Sequence, residues 1–247
     1  VLTPPTLTGQ RILITAGGTQ EPIDPVRFIS NYSTGKMGVA LAQVCARRGA
    51  EVTMVCGSMS VTPRNPFGAI HRIDALSAQD MYEVCIAQWP RMNSAILCAA
   101  VADFTPCEKA ENKIKKGELK VESQKSKVES QKLKVESRES KVFSLSLKET
   151  ADIAKALGQS KRPDQKLIGF ALETQHEIEN ALHKMERKNL DAIVLNSLRD
   201  KGAGFGVDTN RVTIIRADGN SLELPLLSKA EAANEIIRYS FLLEEAE

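Results

Sequence analysis

The chain has 247 residues, 42% of them hydrophobic and 26% charged, with 33 Lys and Arg against 31 Asp and Glu for a formal charge of +2. That length suits one medium domain with a substantial core, and so balanced a charge gives no field that argues for nucleic acid or an anionic membrane. The longest apolar run, Ala95–Ala102, has eight residues where a bilayer span needs about 20, and no cationic stretch leads into an apolar one at the start, so neither a membrane protein nor a secretory leader is expected.

Short β-branched runs alternate with amphipathic stretches along the chain. Arg11–Ala16 reads as a buried strand, followed by a helix over Gly35–Arg48 and a second strand over Glu51–Cys56. Strands are then predicted at Ala69–Asp74, Ser94–Ala99, Lys166–Leu172 and Asp191–Asn196, with helices at Ala78–Trp89, Thr150–Leu157 and His176–Arg187 between them. Near-continuous apolar strands in alternation with helices predict an α/β, Rossmann-like, three-layer fold around a mostly parallel sheet. Arg211–Arg216 and Ser221–Leu224 flank Asp218-Gly219-Asn220, a β-hairpin elaboration of that sheet. A last helix, Lys229–Leu243, closes the fold.

One segment breaks the pattern. Lys120–Ser126 (KVESQKS), Lys127–Leu133 (KVESQKL) and Lys134–Ser140 (KVESRES) are three tandem copies of a seven-residue unit. Each copy has one regular apolar position, Val121, Val128 or Val135, whereas a coiled-coil seam needs two per heptad over more copies. The reading is a solvated, low-complexity insertion over 117–142 within a single domain spanning 1–247. Residues 108–148 carry 12 Lys and Arg against 7 Asp and Glu, so the positive charge is concentrated here.

Five cysteines, Cys45, Cys56, Cys85, Cys98 and Cys107, form no CxxC pair. They predict small thiols of a reducing, cytoplasmic compartment, not a disulfide framework or a zinc site. His71, His176 and His183 are the only histidines, and the last two are seven apart, too far for two imidazoles on one helix to share a metal. No GxSxG elbow is present, so histidine-driven hydrolase chemistry has little support.

Four segments could carry chemistry. After the first strand come Ala16-Gly17-Gly18-Thr19 and then Asn31-Tyr32-Ser33-Thr34-Gly35-Lys36-Met37-Gly38, leading into a helix. Glycines between strand and helix let backbone N–H groups approach phosphate, but neither GxGxxG nor a Walker A loop is present. Capping of the helix by Ser33 and binding of an anion stay equally open. Cys98-Ala99-Ala100-Val101-Ala102-Asp103-Phe104 ends a strand where parallel sheets bind ligands, and Asp103 either takes part or caps a helix. Lys113-Ile114-Lys115-Lys116 could clamp phosphate or merely face solvent. Lys184 and Lys188 share a helix face, with Glu177, Glu179 and Glu186 as alternative partners.

Taken in order, these segments resemble the phosphopantothenoylcysteine synthetase family, in its bacterial CTP-dependent branch. The resemblance rests on Ile14–Gly38, Ala99–Phe104 (AAVADF), Lys113–Lys116 (KIKK), Gly169–Thr174 and Arg187–Asp191, and spans about residues 8 to 243. It implies a ligase of coenzyme A biosynthesis that joins 4′-phosphopantothenate to L-cysteine through an acyl-cytidylate, releasing CMP and pyrophosphate. CTP is the implied co-substrate with Mg2+, no residue being assigned to the metal and no flavin to this chain. A homodimer is implied, as is a flavin-dependent decarboxylase domain or subunit as a partner.

By the same resemblance, Asn31 and Lys113 are catalytic. Gly17, Ser33, Gly35, Gly38, Ala99, Asp103, Lys113, Asp152, Ile153, Phe170, Lys184 and Lys188 contact the nucleotide, and Asn31, Arg27 and Ala100 the acyl substrate. Family members read Pro-Asp-Ile-Val where this chain has Ala151-Asp152-Ile153-Ala154, which weakens the carry-over to Asp152 and Ile153. The repeat would expand the flap that follows KIKK. Two competing readings are an oxidoreductase on the same fold and a non-catalytic partner of the decarboxylase. Against the first, the second strand ends Val55-Cys56-Gly57-Ser58, without the acidic residue that NAD requires.

Overall fold

A computed structural model describes residues 5–65, 68–115, 144–173, 176–197 and 206–241. The heptapeptide repeat lies outside the described residues. In chain order the elements are β1 (Arg11–Ala16), β2 (Gln20–Pro22), β3 (Phe28–Ser30), α1 (Lys36–Arg47), β4 (Glu51–Cys56), β5 (Ile70–Asp74), α2 (Ala78–Gln88), β6 (Ser94–Leu97), β7 (Phe104–Pro106) and β8 (Leu147–Glu149). They continue with α3 (Ile153–Gln159), β9 (Lys166–Glu173), α4 (Glu177–Arg187), β10 (Ala192–Ser197), β11 (Thr209–Asn210), β12 (Val212–Arg216), β13 (Ser221–Glu223), β14 (Leu227–Ser228) and α5 (Lys229–Phe241).

Eight strands form one sheet in the order β13-β12-β10-β9-β6-β1-β4-β5. The six from β10 to β5 are parallel, and the β12–β13 hairpin adds antiparallel to β10. Ile12 and Ile14 of β1 pack into the layer of α1 and α5, while Leu13 faces the opposite layer with Met81, Trp89 and Leu157. A strand apolar on both faces belongs in the middle of such a sandwich. The helical approach to β1 is close, because a Cβ on Gly38 would run into the Cβ of Ala16. Gly38 therefore has a packing reason for being glycine, whatever else it does.

The order of the parallel strands reverses on either side of β1, where β4 and β6 are its neighbours. At such a switch point the loops leave in opposite directions and open a crevice outside the carboxyl ends of the strands. Here that crevice is rimmed by the loops after β1 and β6.

Predicted and observed boundaries agree for β1 and β4 and differ instructively elsewhere. The strand expected over Ser94–Ala99 ends at Leu97. Its continuation is taken over by other donors and acceptors: Ala99 N donates to Thr15 Oγ1 (3.1 Å), Ala100 N to Gly17 O (2.8 Å) and Ala102 N to Thr19 Oγ1 (2.9 Å). The helix expected from Thr150 starts at Ile153, behind the N-cap Asp152, because Thr150 is drawn to the β6 loop instead. Its Oγ1 donates to Ala102 O at 2.6 Å and its N–H to Asp103 O at 3.0 Å. The two- and three-residue strands β2, β3, β7, β8, β11 and β14 have too few residues for any periodicity.

Cys45, Cys56 and Cys85 are buried, Cys98 is half-buried and Cys107 is exposed, and none is in a disulfide. Burial pushes the Cys45, Cys85 and Cys98 thiols up to about 12, so these three are protonated and poorly nucleophilic at neutral pH. No helix among the described residues is long and apolar enough to cross a membrane.

Candidate active site at the switch point

Two clefts open at the carboxyl ends of the strands and share Ala99, Ala100, Phe170 and Leu172 as a common wall. The larger, about 600 Å³, runs between the β6 loop and the starts of α3 and the last turns of α4. Asn31, Asp103, Asp152, Ile153, Lys184 and Lys188 all line it. The smaller, about 140 Å³, lies at the start of α1 and is lined by Ser33, Gly35, Lys36 and Gly38 on one side. Cys98, Asn196, Asn210 and Lys229 complete it on the other.

The start of α1 removes one of the two readings of the glycine-rich stretch, capping by Ser33. The N-cap is Gly35, in a left-handed conformation (φ 77°), and no side chain caps the helix. Ser33 stands two residues too early to do so. No acidic residue occupies the first turn, so the free N–H groups and the positive helix end are left to face the cleft. An uncapped helix N-terminus over a cavity is an arrangement suited to an anion.

Asn31 reaches the site from the end of the β2–β3 hairpin, where the Ser30 hydroxyl donates to Thr19 O at 2.7 Å. Its Nδ2 donates to Ala100 O at 3.2 Å and Val101 O at 3.3 Å, which seats the amide on the β6 loop. Asp103 caps no helix; it is exposed on the cleft wall.

At the other end, the Asp152 side chain caps α3 by accepting from Lys155 N (3.0 Å) and pairs with Lys188 Nζ at 3.0 Å. Burial works to raise the Asp152 carboxyl, but these contacts outweigh it and hold the group below its ordinary value. Lys188 thus has a carboxylate from another element as partner, not a glutamate of its own helix. The Arg187–Asp191 stretch is the turn that aims both lysines. Asn189 adopts a left-handed conformation (φ 51°) and donates from Nδ2 to Gly158 O at 2.9 Å, Leu190 enters the core, and Asp191 pairs with Lys161 at 2.9 Å.

Three predicted residues stand off the cleft walls. Gly17 (φ 83°) makes the turn after β1, where a Cβ would sit 2.6 Å from Ser58 O. Arg27 is held by Asp24, through Nε at 3.0 Å and through Nη2, and donates to Ile114 O at 2.7 Å. Lys113 is exposed, and the segment carrying it is tied down on both sides: Ala110 N donates to Ile23 O (3.0 Å) and Ile114 N to Asp24 Oδ2 (3.1 Å). The hairpin that presents Asn31 is therefore also the root of the lysine segment. Lys116 and the repeat lie outside the described residues.

Sequence reasoning missed Asp24, Lys36, Asn196, Asn210 and Lys229. Asp24 was inside a recognised stretch, but nothing in an Ile-Asp-Pro-Val-Arg string says that the carboxylate is buried. Lys36 Nζ pairs with Asp208 at 2.7 Å and donates to Gly206 O at 3.2 Å. That contact joins residues 170 positions apart, which no local pattern reports.

The family described as "DNA/pantothenate metabolism flavoprotein C-terminal domain" matches residues 7–127 and 122–241, two stretches that meet inside the repeat. The chain belongs to this family. Among curated relatives, a cysteine/cysteine sulfinic acid decarboxylase of an unknown prokaryotic organism is 47% identical over 94% of this chain and 58% of its own length. The coenzyme A biosynthesis bifunctional protein CoaBC of Bacillus subtilis is 41% identical over 94% of this chain and 51% of its own. The chain thus spans about half the length of the curated relatives it matches. A crystal structure of the C-terminal domain of a CoaBC protein superposes with a TM-score of 0.73 at 38% identity, covering 97% of this chain and 98% of that one. The family's doubly wound fold and the crevice at its switch point are those described above.

Proposed function

We propose that the chain is a phosphopantothenoylcysteine synthetase domain that uses CTP to join 4′-phosphopantothenate to L-cysteine. The observation that carries this is the crevice itself. An uncapped helix start suited to phosphate, the Asn31 amide, and the Lys184–Lys188 face meet around one wall, Ala99–Ala100–Phe170. The names of the CoaBC relatives support a role in coenzyme A biosynthesis.

The chemistry has two steps. The phosphopantothenate carboxylate attacks the α-phosphorus of CTP, the bond to the β-phosphate oxygen breaks, and pyrophosphate leaves with that electron pair. The amine of cysteine then attacks the acyl carbonyl and expels CMP. Neither step needs a histidine base; positioning and neutralisation of phosphate charge carry most of the work. Ser33, Gly35 and Gly38 face the phosphates, Asp152 and Ile153 the base end, and Lys184, Lys188 and Phe170 the nucleotide between them. Asn31 and Ala100 hold the acyl group, with Lys113 supplied from the root that Asp24 and Arg27 fix.

Among the described residues no cluster of three His, Cys, Asp or Glu is assembled to hold a metal by itself, and Asp103, exposed on the wall of the larger cleft, would offer one carboxylate beside the substrate phosphates. One carboxylate plus substrate phosphates is how Mg2+ usually binds. When bound, the ion would neutralise charge on the triphosphate.

Val26, Phe28, Tyr32, Phe104 and Leu147 are exposed together on and beside the β2–β3 hairpin and the antiparallel β7–β8 pair. A second copy of the chain covers this face in our reading. Phe28→Asp should then shift sedimentation from dimer to monomer, and an unchanged coefficient would remove the dimer from the proposal.

Two alternatives are less well supported. An NAD site needs a GxGxxG turn after β1 and an acidic residue at the end of β4, and the chain has Ala16-Gly17-Gly18-Thr19 and Val55-Cys56-Gly57-Ser58 at those places. The decarboxylase named among the relatives extends well beyond the matched region.

The deciding experiment is pyrophosphate release from CTP and Mg2+, with and without 4′-phosphopantothenate and L-cysteine, with ATP as the control nucleotide. Release that requires phosphopantothenate and prefers CTP, followed by cysteine-dependent product, is the expected result. Absence of release with either nucleotide would move the binding-partner reading to the front.

A further inference from the structure

Lys229 is placed where a lysine is costly twice over. It is the first residue of α5, at the positive end of the helix dipole, where a cation is disfavoured. The cap of that helix is supplied by its neighbours: the Ser228 hydroxyl accepts from Glu231 N at 3.3 Å, and Glu231 Oε2 accepts from Ser228 N at 2.9 Å. Lys229 takes no part in the box. It is also only 8% exposed, a degree of burial that lysines avoid unless something offsets the desolvation. Burial accordingly pushes its ammonium below the ordinary lysine range.

Its surroundings say what would offset the cost. Lys229 Nζ donates to Thr209 O at 3.1 Å, and the side chain lines the small cleft opposite the first turn of α1. Asn210 stands beside it on the same wall and is 3% exposed. Among the described residues its Oδ1 is buried with no hydrogen-bond partner, and its Nδ2 meets the Met37 thioether at 3.8 Å. Asn196 Oδ1, on the same cleft, is also buried without a partner among the described residues. Native proteins rarely leave buried amides unused, and a shared cleft gives both a common cause. A thioether is a poor acceptor, so turning the Asn210 amide over costs little and presents its N–H₂ to a ligand.

The cleft therefore has an ammonium and a buried amide on one side and free helix N–H groups on the other. Lys36 adds a second ammonium at its mouth, paired with the exposed Asp208. At about 140 Å³ it is far smaller than the adjoining 600 Å³ cleft, so it suits a compact anion and not a nucleoside.

We propose that Lys229 and Asn210 form the far wall of a diphosphate pocket, which holds the two terminal phosphates of the nucleoside triphosphate and then the pyrophosphate that leaves. The identity of this ligand rests on the synthetase reading above. As the α-phosphorus bond breaks, the electron pair settles on the β-phosphate oxygen, and the pyrophosphate gains negative charge there. The Lys229 ammonium meets that charge and Asn210 donates to a phosphate oxygen. A buried ammonium is worth more in this role than a surface one, because little water screens it.

The test is calorimetric binding of CTP, CMP and inorganic pyrophosphate, each with Mg2+, to the full chain and to Lys229→Met, which keeps the bulk of the stem. CTP and pyrophosphate should bind at least tenfold more weakly while CMP stays within twofold, and Lys229→Arg should recover most of the loss. Equal losses for CMP and CTP would make Lys229 a packing residue and overturn the proposal, as would unchanged pyrophosphate binding. Should Lys229→Met fail to fold, Asn210→Ser gives the same comparison with the ammonium in place: at least a threefold loss for CTP and pyrophosphate with CMP unaffected, or the proposal falls. Failure of the parent reading looks different. The unsubstituted chain would then bind pyrophosphate but give no phosphopantothenate-dependent turnover.

Discussion

Asn31→Ala is expected to slow consumption of the acyl-cytidylate by about 10²–10³-fold, the usual loss when one donor to a developing oxyanion is removed. The Asn31 N–H₂ sits on the carbonyls of Ala100 and Val101, at the wall common to both clefts, where the acyl carbonyl has to lie between nucleotide and amine. Those carbonyls seat the amide before the reaction begins, and one of its two N–H donors is exchanged from a backbone carbonyl to the acyl oxygen as charge develops. Asn31→Asp should do worse, since a carboxylate would face two carbonyl oxygens and the growing negative charge together. The measurement is a single-turnover quench with labelled CTP. Formation of the acyl-cytidylate should be nearly unchanged and its disappearance on addition of cysteine slow, so that it accumulates. Product formation at the unsubstituted rate would remove Asn31 from catalysis.

What the sequence made legible is what local pattern encodes. β1 and β4 have near-continuous apolar runs, broken only by Thr15 and Thr53, and their observed ends match the predicted ones. The glycine-rich stretch was visible too, but its meaning was not. Ser33 has the right chemistry for a cap, and only the backbone turn at Gly35 shows that the helix begins too late to use it. Lys229 was harder still. One lysine before an amphipathic helix looks like surface, and its burial is decided by β11 and β14, two strands of two residues each brought together from 17 or more positions apart. The Arg187–Asp191 stretch shows the reverse case. Its sequence carries part of the family resemblance, and much of it is the turn and the ion pair that orient Lys184 and Lys188 from behind.

Asp24→Asn should cost about 10²-fold in turnover although its side chain touches neither cleft, the loss expected when a reacting group is displaced by about 1 Å. The carboxylate accepts from Val26 N and Arg27 N at 2.8 Å each, from the Arg27 guanidinium, and from Ile114 N at 3.1 Å, while Arg27 returns a bond to Ile114 O. Both backbone groups of Ile114 are thereby clasped, and Lys113 is delivered from a fixed root. The Arg27 guanidinium foremost, with the backbone donors, holds the Asp24 carboxyl well below the usual carboxylate range. A depressed carboxyl stabilises the fold above the unfolded-state value of about 3.9 and loses that contribution as pH falls toward the folded value. The stability gap between the native chain and Asp24→Asn should thus be level from pH 5 to 8 and close below about pH 4. Positioning is separated from mere stability by a double-mutant cycle with Lys113→Ala. If Asp24 acts through Lys113, the double variant should turn over no more slowly than Lys113→Ala alone, with the loss in kcat and not in KM for CTP. Additive losses in the cycle would mean that the clasp serves the fold and not the lysine.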